Sequence, residues 1–150
     1  EHKLHLSHFG VDIDRREKPV RSVDNPITIG YVGQIAPHKG VDLLVSAVRD
    51  FPASVVRLDI YGPENQDIAY MQKLRELGGE NVRFCGTFAP SRMADVMADF
   101  DLLAIPSTWY ENSPLVLLNA LGPIITEEHL YDHPFVASRT PGIDANKKLA

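Results

Sequence analysis

The sequence predicts an α/β fold in which a parallel β-sheet carries helices on both faces. Short apolar or β-branched segments alternate along the chain with segments of helical apolar spacing, and the connections between them are brief. The segment DLLAIPS is apolar almost throughout, which is typical of a strand buried on both faces of a sheet. Gly and Pro punctuate most of the boundaries between segments.

The first strand and helix follow a polar leading segment or linker, 1–26. The segment ITIGYVGQI alternates and is β-branched, so it predicts a strand that ends at Gly33. The segment 41–51, VDLLVSAVRDF, has apolar residues three and four apart, which predicts a helix. We expect the domain proper to occupy 27–150 and to be incomplete at its C-terminus.

A second strand, helix and third strand follow at similar spacing. VVRLDIYG, 55–62, predicts a strand closed by Gly62, and NVRFCG, 81–86, predicts another. Between them, residues 67–78 predict a helix that the Gly78-Gly79 pair stops. Its in-phase apolar residues are Ile68, Met71, Leu74 and Leu77.

The remaining elements complete the alternation. Ser91 is a candidate N-cap for a helix through residue 99, which precedes the fourth strand, DLLAIPS. Ser113 and Pro114 have the residue types of an N-cap and first helical position. PFVAS, 134–138, predicts a fifth strand. The order predicts a Rossmann-like sheet, whose ligands bind beyond the carboxyl ends of the strands.

Composition excludes several classes of protein. The chain has 150 residues, is 44% hydrophobic and carries a net charge of −5, so it can form a core and is unlike a general nucleic-acid binder. One cysteine, Cys85, excludes an internal disulfide framework, and no apolar run approaches a membrane span of about 20 residues. We expect a cytoplasmic setting, and the missing initial Met indicates a piece of a longer protein.

The loop GQIAPHKG is the first with candidate chemistry. Gly33 permits close approach of a ligand, and Lys39 precedes a helix whose N-terminal amides favour an anion. A phosphate ligand is therefore one interpretation, and a solvated surface lysine beside a turn is the other. The GxxxxGK[ST] phosphate-binding pattern is absent.

The loop PSTWYENSPLV is the second. The amides of Leu115 and Val116 lie in the first turn of the predicted helix, where a diphosphate is stabilised by partial positive charge. The negative charge of Glu111 would repel a diphosphate bound beside it, unless the carboxylate accepts hydrogen bonds from hydroxyl groups such as those of a sugar. The alternative is that Glu111 and Ser113 only cap the helix.

In their order along the chain, GQIAPHKGVDLLVSA, VRLDIYG, VRFCGTF and PSTWYENSPLVLLNAL resemble the nucleotide-sugar-binding domain of family-4 retaining glycosyltransferases. That family has the GT-B architecture of two facing Rossmann-like domains. The resemblance covers roughly 27–121 and resumes at PFVASRTPGI. It implies transfer of a sugar from a nucleoside-diphosphate sugar, with retention of configuration and no bound metal, to an acceptor glycan, lipid or small molecule held by a missing N-terminal domain.

The resemblance also implies roles for individual residues. Glu111 is the first carboxylate of the family's E-x7-E motif and touches the donor sugar. The base is expected near Arg83, Phe84 and Gly86, and the ribose near Asn119. The residues expected around the diphosphate are Gly33, Gln34, Lys39, Asn112, Ser113, Pro114, Leu115 and Val116.

Three departures separate this chain from that family. Asn119 stands where the motif has its second carboxylate, and Gln34 stands where an Arg is common. The connection GPIITEEHLYDH is longer and more acidic than usual. It contains His129 and His133, which are four residues apart as in some metal sites, but no third ligand is obvious, and we predict no metal.

Two other functions fit the same fold. A nucleotide or nucleotide-sugar binding module without catalysis is favoured by Asn119 and Gln34. A nucleotide-sugar 2-epimerase has the same GT-B architecture, but PSTWYENSPLV resembles the transferase motif more closely. The base, the sugar, the acceptor and the oligomeric state do not follow from the sequence. Many relatives act at the cytosolic face of a membrane through their other domain.

Overall fold

The computed structural model describes residue 22 and residues 24–109, 115–117 and 120–121. The predicted strand at 134–138 and the leading segment up to residue 21 lie outside the described residues. In chain order the described elements are β1 (Ile27–Val32), α1 (Val41–Val48), β2 (Val56–Tyr61), α2 (Ile68–Leu77), β3 (Val82–Gly86), α3 (Met93–Ala98) and β4 (Leu102–Leu103).

The four described strands form one parallel sheet in the order β3-β2-β1-β4. The register pairs Ile27 with Val56 at the start of β1 and Val32 with Tyr61 at its end. The chain therefore runs outward from β1 to β3, then returns to the other side of β1. The predicted α/β class with a parallel sheet is confirmed.

The hydrophobic core lies between one face of the sheet and two helices. Alternate residues of β2 face it, and both α1 and α2 turn an apolar stripe toward it. The side chains of Leu58, Ile60 and Leu74 are fully buried there. The full cluster contains Tyr31, Ile35, Val41, Val45, Val48, Val56, Leu58, Ile60, Tyr70, Met71 and Leu74.

The opposite face of the sheet is more polar. Asp59 is 2% exposed and accepts two hydrogen bonds from Arg83, at 2.7 and 2.5 Å. Phe100, which follows α3, covers this face next to Gly30, where a Cβ atom would lie 2.1 Å from the Phe100 ring. Since crossovers between parallel strands are right-handed, the return from β3 to β4 places α3 on this face, opposite α1 and α2.

Two predicted helix boundaries change in the structure. Ser91 does not cap α3: Pro90 begins a 3-10 turn through Arg92, and the α-helix starts at Met93 without a side-chain cap. The helix predicted to reach residue 51 ends at Val48, because the approach to Pro52 disfavours helical backbone. Asp67 caps α2 at its N-terminus, where its side chain accepts a hydrogen bond of 2.9 Å from the Tyr70 amide.

Two burial predictions were wrong. Ile68 is in phase with the core stripe of α2 but is 75% exposed, and it is the first residue of that helix. In DLLAIPS the strand β4 is confined to Leu102 and Leu103, with flanking backbone hydrogen bonds from Asp101 and Ala104 to β1, and Leu102 is 57% exposed, so the apolar run is not a strand buried along its whole length. No helix among the described residues is both long and apolar enough to cross a bilayer.

Candidate functional site at the carboxyl ends of the strands

The strand order locates a crevice between β1 and β4. The connection that follows β1 leads to β2 on one side of it, whereas β4 lies on the other side of β1. The strand order therefore reverses at this point. Ligands of open α/β sheets bind at such a reversal, beyond the carboxyl ends of the strands. The loop after β1, 33–40, and the loop after β4, 104–109, both lead into this region.

Glycines allow neighbouring strand ends to approach closely. The amide of Gly33 donates to the Tyr61 carbonyl oxygen at 3.0 Å, and the amide of Gly62 donates to the Gly86 carbonyl oxygen at 2.8 Å. A Cβ atom on Gly62 would lie 2.1 Å from the Gly33 carbonyl oxygen. Any side chain at residue 62 would therefore separate the loops after β1 and β2.

Two hydrogen bonds fix Gln34 at the rim of this region. The buried Tyr31 hydroxyl donates to the Gln34 carbonyl oxygen at 2.7 Å, which holds the turn that follows β1. The Gln34 side-chain amide donates to Gln66 Oε1 at 2.9 Å. Gln34 thus joins the loop after β1 to the loop after β2, and its exposed side chain lies beside Gly33.

The two loops that the sequence predicted to act together are in contact. The Thr108 amide and hydroxyl donate to the His38 carbonyl oxygen at 3.0 and 3.1 Å, and the Ser107 hydroxyl reaches it at 3.4 Å. Gly40 packs against the Pro106 carbonyl so tightly that a Cβ atom would lie 2.2 Å from that oxygen. Lys39, half-buried at the end of its 3-10 turn, stands between these two contacts.

The amides at the start of α1 are largely engaged within the protein. Those of Lys39 and Gly40 donate to Ala36 and Pro37, and the Asp42 amide donates to the Tyr70 hydroxyl at 3.2 Å. An anion near this loop would therefore meet the Lys39 side chain more readily than the helix amides. Of the two phosphate contacts predicted at this loop, the one through the Lys39 side chain is therefore favoured over the one through the helix amides.

Tyr70, Asp42 and Lys73 form a polar network between α1 and α2. The Tyr70 hydroxyl donates to Asp42 Oδ1 at 3.0 Å, and Lys73 Nζ lies 3.3 Å from Asp42 Oδ2. Burial acts to raise the pKa of Asp42, but hydrogen bonds from Tyr70 and Lys73 outweigh it and hold that pKa below its ordinary value. Burial, together with the Asp42 carboxylate, raises the pKa of Tyr70 to about 12.

The second predicted loop is described only in part. Leu115 and Val116 are helical, as the sequence predicted, and Leu115 is 49% exposed. The predicted residues Glu111, Asn112, Ser113, Pro114 and Asn119 lie outside the described residues, as do His129 and His133. Trp109, the last described residue before them, is 70% exposed.

Comparison with known proteins decides the family. Residues 12–124 match the family described as glycosyl transferases group 1. The chain belongs to this family. The resemblance drawn from the loops is thereby confirmed, including the GT-B type of fold.

Several proteins are similar to this glycosyl transferase chain. D-inositol 3-phosphate glycosyltransferases of Rhodococcus opacus (strain B4) and Rhodococcus jostii (strain RHA1) are 35% and 33% identical over 102 residues, covering 61% of this chain. The chain spans 23% and 22% of their length. A further match, 54% identical over 37 residues, is to formate dehydrogenase H of Escherichia coli (strain K12), of which it covers 5%.

Solved structures show the same fold. Anabaena Alr3699/HepE in complex with UDP and glucose matches 65% of this chain and 27% of its own, with a TM-score of 0.57 and 26% identity. A complex of the same protein with UDP-glucose has a TM-score of 0.58 and 25% identity. Sucrose-phosphate synthase from Thermosynechococcus elongatus matches 67% of this chain and 26% of its own, with a TM-score of 0.56 and 26% identity.

The three residues predicted near the base of the donor occupy different environments in this glycosyl transferase fold. Arg83 lies near the start of β3 and pairs with Asp59 on the polar face, and this pairing raises the pKa of Arg83. Phe84 packs against the core on the other face. Only Gly86, with φ of 68°, lies at the carboxyl end of β3, and a base contact there stays a prediction.

The sequence predicted no individual role for the polar residues that follow β2. Glu64 and Gln66 lie in the loop that joins β2 to α2, next to Gly86 and Gln34 respectively. Their position after a strand end was a usable signal, but a loop carboxylate or amide is ordinary in composition and carries no pattern. Among the described residues no group of three His, Cys, Asp or Glu side chains is placed to hold a metal.

Proposed function

We propose that this chain binds the nucleotide-sugar donor of a retaining glycosyltransferase, and that a separate domain holds the acceptor. The observation that carries the proposal is the contact of Thr108 with His38. It brings Lys39 next to the loop that leads into the helical residues Leu115 and Val116. The UDP and UDP-glucose complexes of the Anabaena relative support a nucleoside diphosphate as the ligand.

The proposed chemistry breaks the bond between the anomeric carbon and a phosphate oxygen. The electron pair goes to the leaving diphosphate, the acceptor hydroxyl oxygen forms the new bond on the same face of the sugar, and its proton is released. Lys39 and the amides of Leu115 and Val116 stabilise the negative charge that develops on the leaving group. Glu111 accepts hydrogen bonds from hydroxyls of the donor sugar.

A bound metal is not required in this proposal. In many phosphoryl sites a cation neutralises the diphosphate, and here the Lys39 ammonium and amide dipoles supply positive charge instead. The acceptor, whether glycan, lipid or small molecule, belongs to the part of the protein that lies beyond this chain. We propose a cytoplasmic location, because a single cysteine fits a reducing compartment.

A non-catalytic nucleotide-binding module is the second candidate. Gln34 replaces a cation common in the family, and its side-chain amide is engaged with Gln66 rather than directed to a phosphate. Asn119 replaces a carboxylate expected at the ribose. Both substitutions remove a charged side chain that would interact with the donor. A protein that binds the nucleotide but does not transfer the sugar needs these interactions less, so it would tolerate both substitutions.

Calorimetric titration of the purified protein tests the proposal. UDP, GDP, ADP and their common sugar conjugates are each titrated with and without EDTA. We expect saturable binding of one nucleotide, unaffected by EDTA, and this result would identify the base. The absence of binding to every nucleotide would reject the donor-site proposal. If a nucleotide binds, an assay of sugar transfer by a protein that joins this chain to an acceptor-binding domain separates an enzyme from a binding module.

A further inference from the structure

The loop after β2 places a carboxylate at the end of β3. Glu64 follows Gly62 and Pro63, and its Oε1 lies 3.8 Å from the position that a Cβ atom would take on Gly86. Apart from Gly86's chain neighbours, no other atom of the described residues lies within 4 Å of that position. Within the described residues, the Glu64 carboxylate is therefore the group that borders the Gly86 backbone on this side.

Glu64 is held in place from its other side. Its Oε2 accepts a hydrogen bond from the Arg75 guanidinium, which in turn lies over the Phe84 ring at 5.2 Å from the ring centroid. Phe84 packs against the hydrophobic core, so the contacts from Glu64 through Arg75 and Phe84 end on the core. Among the described residues no donor reaches Oε1, and this oxygen faces Gly86.

The distance along the sheet suits the nucleoside half of the donor. The phosphates are proposed to lie at the crevice between β1 and β4, near Lys39. β3 is two strands away from β1, which is about 10 Å at the usual spacing of strands. A nucleoside that extends from the phosphates across the end of β2 reaches Gly86 and Glu64.

We propose that Glu64 is a nucleoside-binding residue of the donor site. Its free oxygen accepts a hydrogen bond from a polar hydrogen of the nucleoside, either a base N–H or a ribose hydroxyl. Arg75 is the positioning residue that fixes the carboxylate. The inference rests on the proposed function, because it requires a nucleotide in this cleft. It also supplies a carboxylate contact in a chain that has Asn119 where its family has a ribose-binding Glu.

The test compares Glu64→Gln with wild type by calorimetry, with inorganic pyrophosphate and the nucleoside diphosphate that wild type prefers. Gln keeps the shape and can still accept from Arg75, but it loses the charge that makes a hydrogen bond to a carboxylate about twice as strong. The matched control is Glu76→Gln, an exposed carboxylate of α2 that pairs with Gln72 at 3.0 Å. Thermal unfolding verifies that both variants fold.

We expect Glu64→Gln to weaken nucleoside diphosphate binding about fivefold to tenfold, with pyrophosphate binding and the control unchanged. 2′-Deoxy and 3′-deoxy analogues then locate the donor group: a loss that persists with both assigns it to the base, and a loss that disappears with one assigns it to that hydroxyl. Equal affinities of variant and wild type, or an equal loss for pyrophosphate, would overturn the inference alone. A wild type that binds no nucleotide would overturn the proposed function and this inference together.

Discussion

The Thr108 amide lies 3.0 Å from the His38 carbonyl oxygen, and this hydrogen bond joins the loop after β4 to the loop after β1. The two residues are 70 positions apart in sequence, and the parallel sheet alone brings their loops together. Two residues after His38, Gly40 touches Pro106. The arrangement of the cleft therefore depends on backbone contacts at least as much as on charged side chains.

Gly40→Ala tests that dependence. Gly40 has φ of 66°, a left-handed conformation that costs an L-residue about 1–2 kcal/mol, and its Cβ would also collide with the Pro106 carbonyl. We expect urea unfolding to show a loss of at least about 2 kcal/mol. Gly78→Ala is the control, since Gly78 has φ of −74° and its closest contact would be 3.3 Å. Equal effects of the two substitutions would contradict this explanation.

Lys39→Ala tests the proposed phosphate contact. Removing a hydrogen bond to a charged group costs about 1.5–3 kcal/mol, so we expect nucleoside diphosphate affinity to fall by about one to two orders of magnitude in calorimetry. Arg49→Ala removes the same charge at the far end of α1, where Arg49 pairs with Asp50, and should leave affinity unchanged. An unchanged affinity for Lys39→Ala would refute the contact.

The sequence predicted the sheet because its pattern is local. The alternation in β1 and the helical spacing in α1 depend only on residues within one element, so both elements were predicted. The predicted ends of the two elements were one to three residues too late. The contact of His38 with Thr108 also follows from topology, since loops after neighbouring parallel strands must meet. The place of Lys39, between the loop after β1 and the loop after β4, follows from the fact that these two strands are neighbours.

Pairings across the sheet were not predictable in the same way. The base of the donor is expected near Arg83, and this stays a prediction, but the pairing of Arg83 with Asp59 was not foreseen, because it depends on the register that sets β2 and β3 side by side. Ser91 failed as a cap because one neighbouring proline shifted the first turn. No role was predicted for Glu64, because its contacts are with Arg75 and Gly86, which are distant in sequence.

Tyr70→Phe tests the network between α1 and α2 through pH. A tyrosine whose pKa is raised to about 12 by burial holds its proton more tightly in the folded state than in the unfolded state. Its stabilising contribution is therefore complete below pH 10 and is lost as pH rises toward about 12. We expect the stability advantage of wild type over Tyr70→Phe to shrink across that window by roughly 1–2 kcal/mol. Parallel curves in urea unfolding at pH 8 to 11.5 would exclude this role.

Glu111→Gln separates the sugar from the nucleotide. If Glu111 accepts hydrogen bonds from sugar hydroxyls, its neutral replacement should weaken binding of the intact sugar donor by about 1 kcal/mol and leave the nucleoside diphosphate unaffected. Calorimetry with both ligands on the same preparation provides the comparison. Equal losses for the two ligands would place Glu111 at the phosphates or in a purely structural role.

Gln34→Arg restores the cation that is common in the family. Gln34 lies beside Gly33, and the Tyr31 hydroxyl holds its backbone carbonyl, so we expect an Arg at this position to keep the turn after β1 and to add its charge next to Gly33. We expect nucleoside diphosphate affinity to rise by about threefold to tenfold at low salt. The gain should shrink at 0.5 M salt, because charges separated by solvent are screened over a few ångströms.

Gln66→Arg is the matched control for that gain. It adds the same charge across the Gln34–Gln66 hydrogen bond, one strand further from the crevice between β1 and β4. If affinity rises equally for both variants, the effect comes from net charge rather than from position 34. A rise confined to Gln34→Arg would place residue 34 at the phosphates and identify its present Gln as a substitution that weakens donor binding.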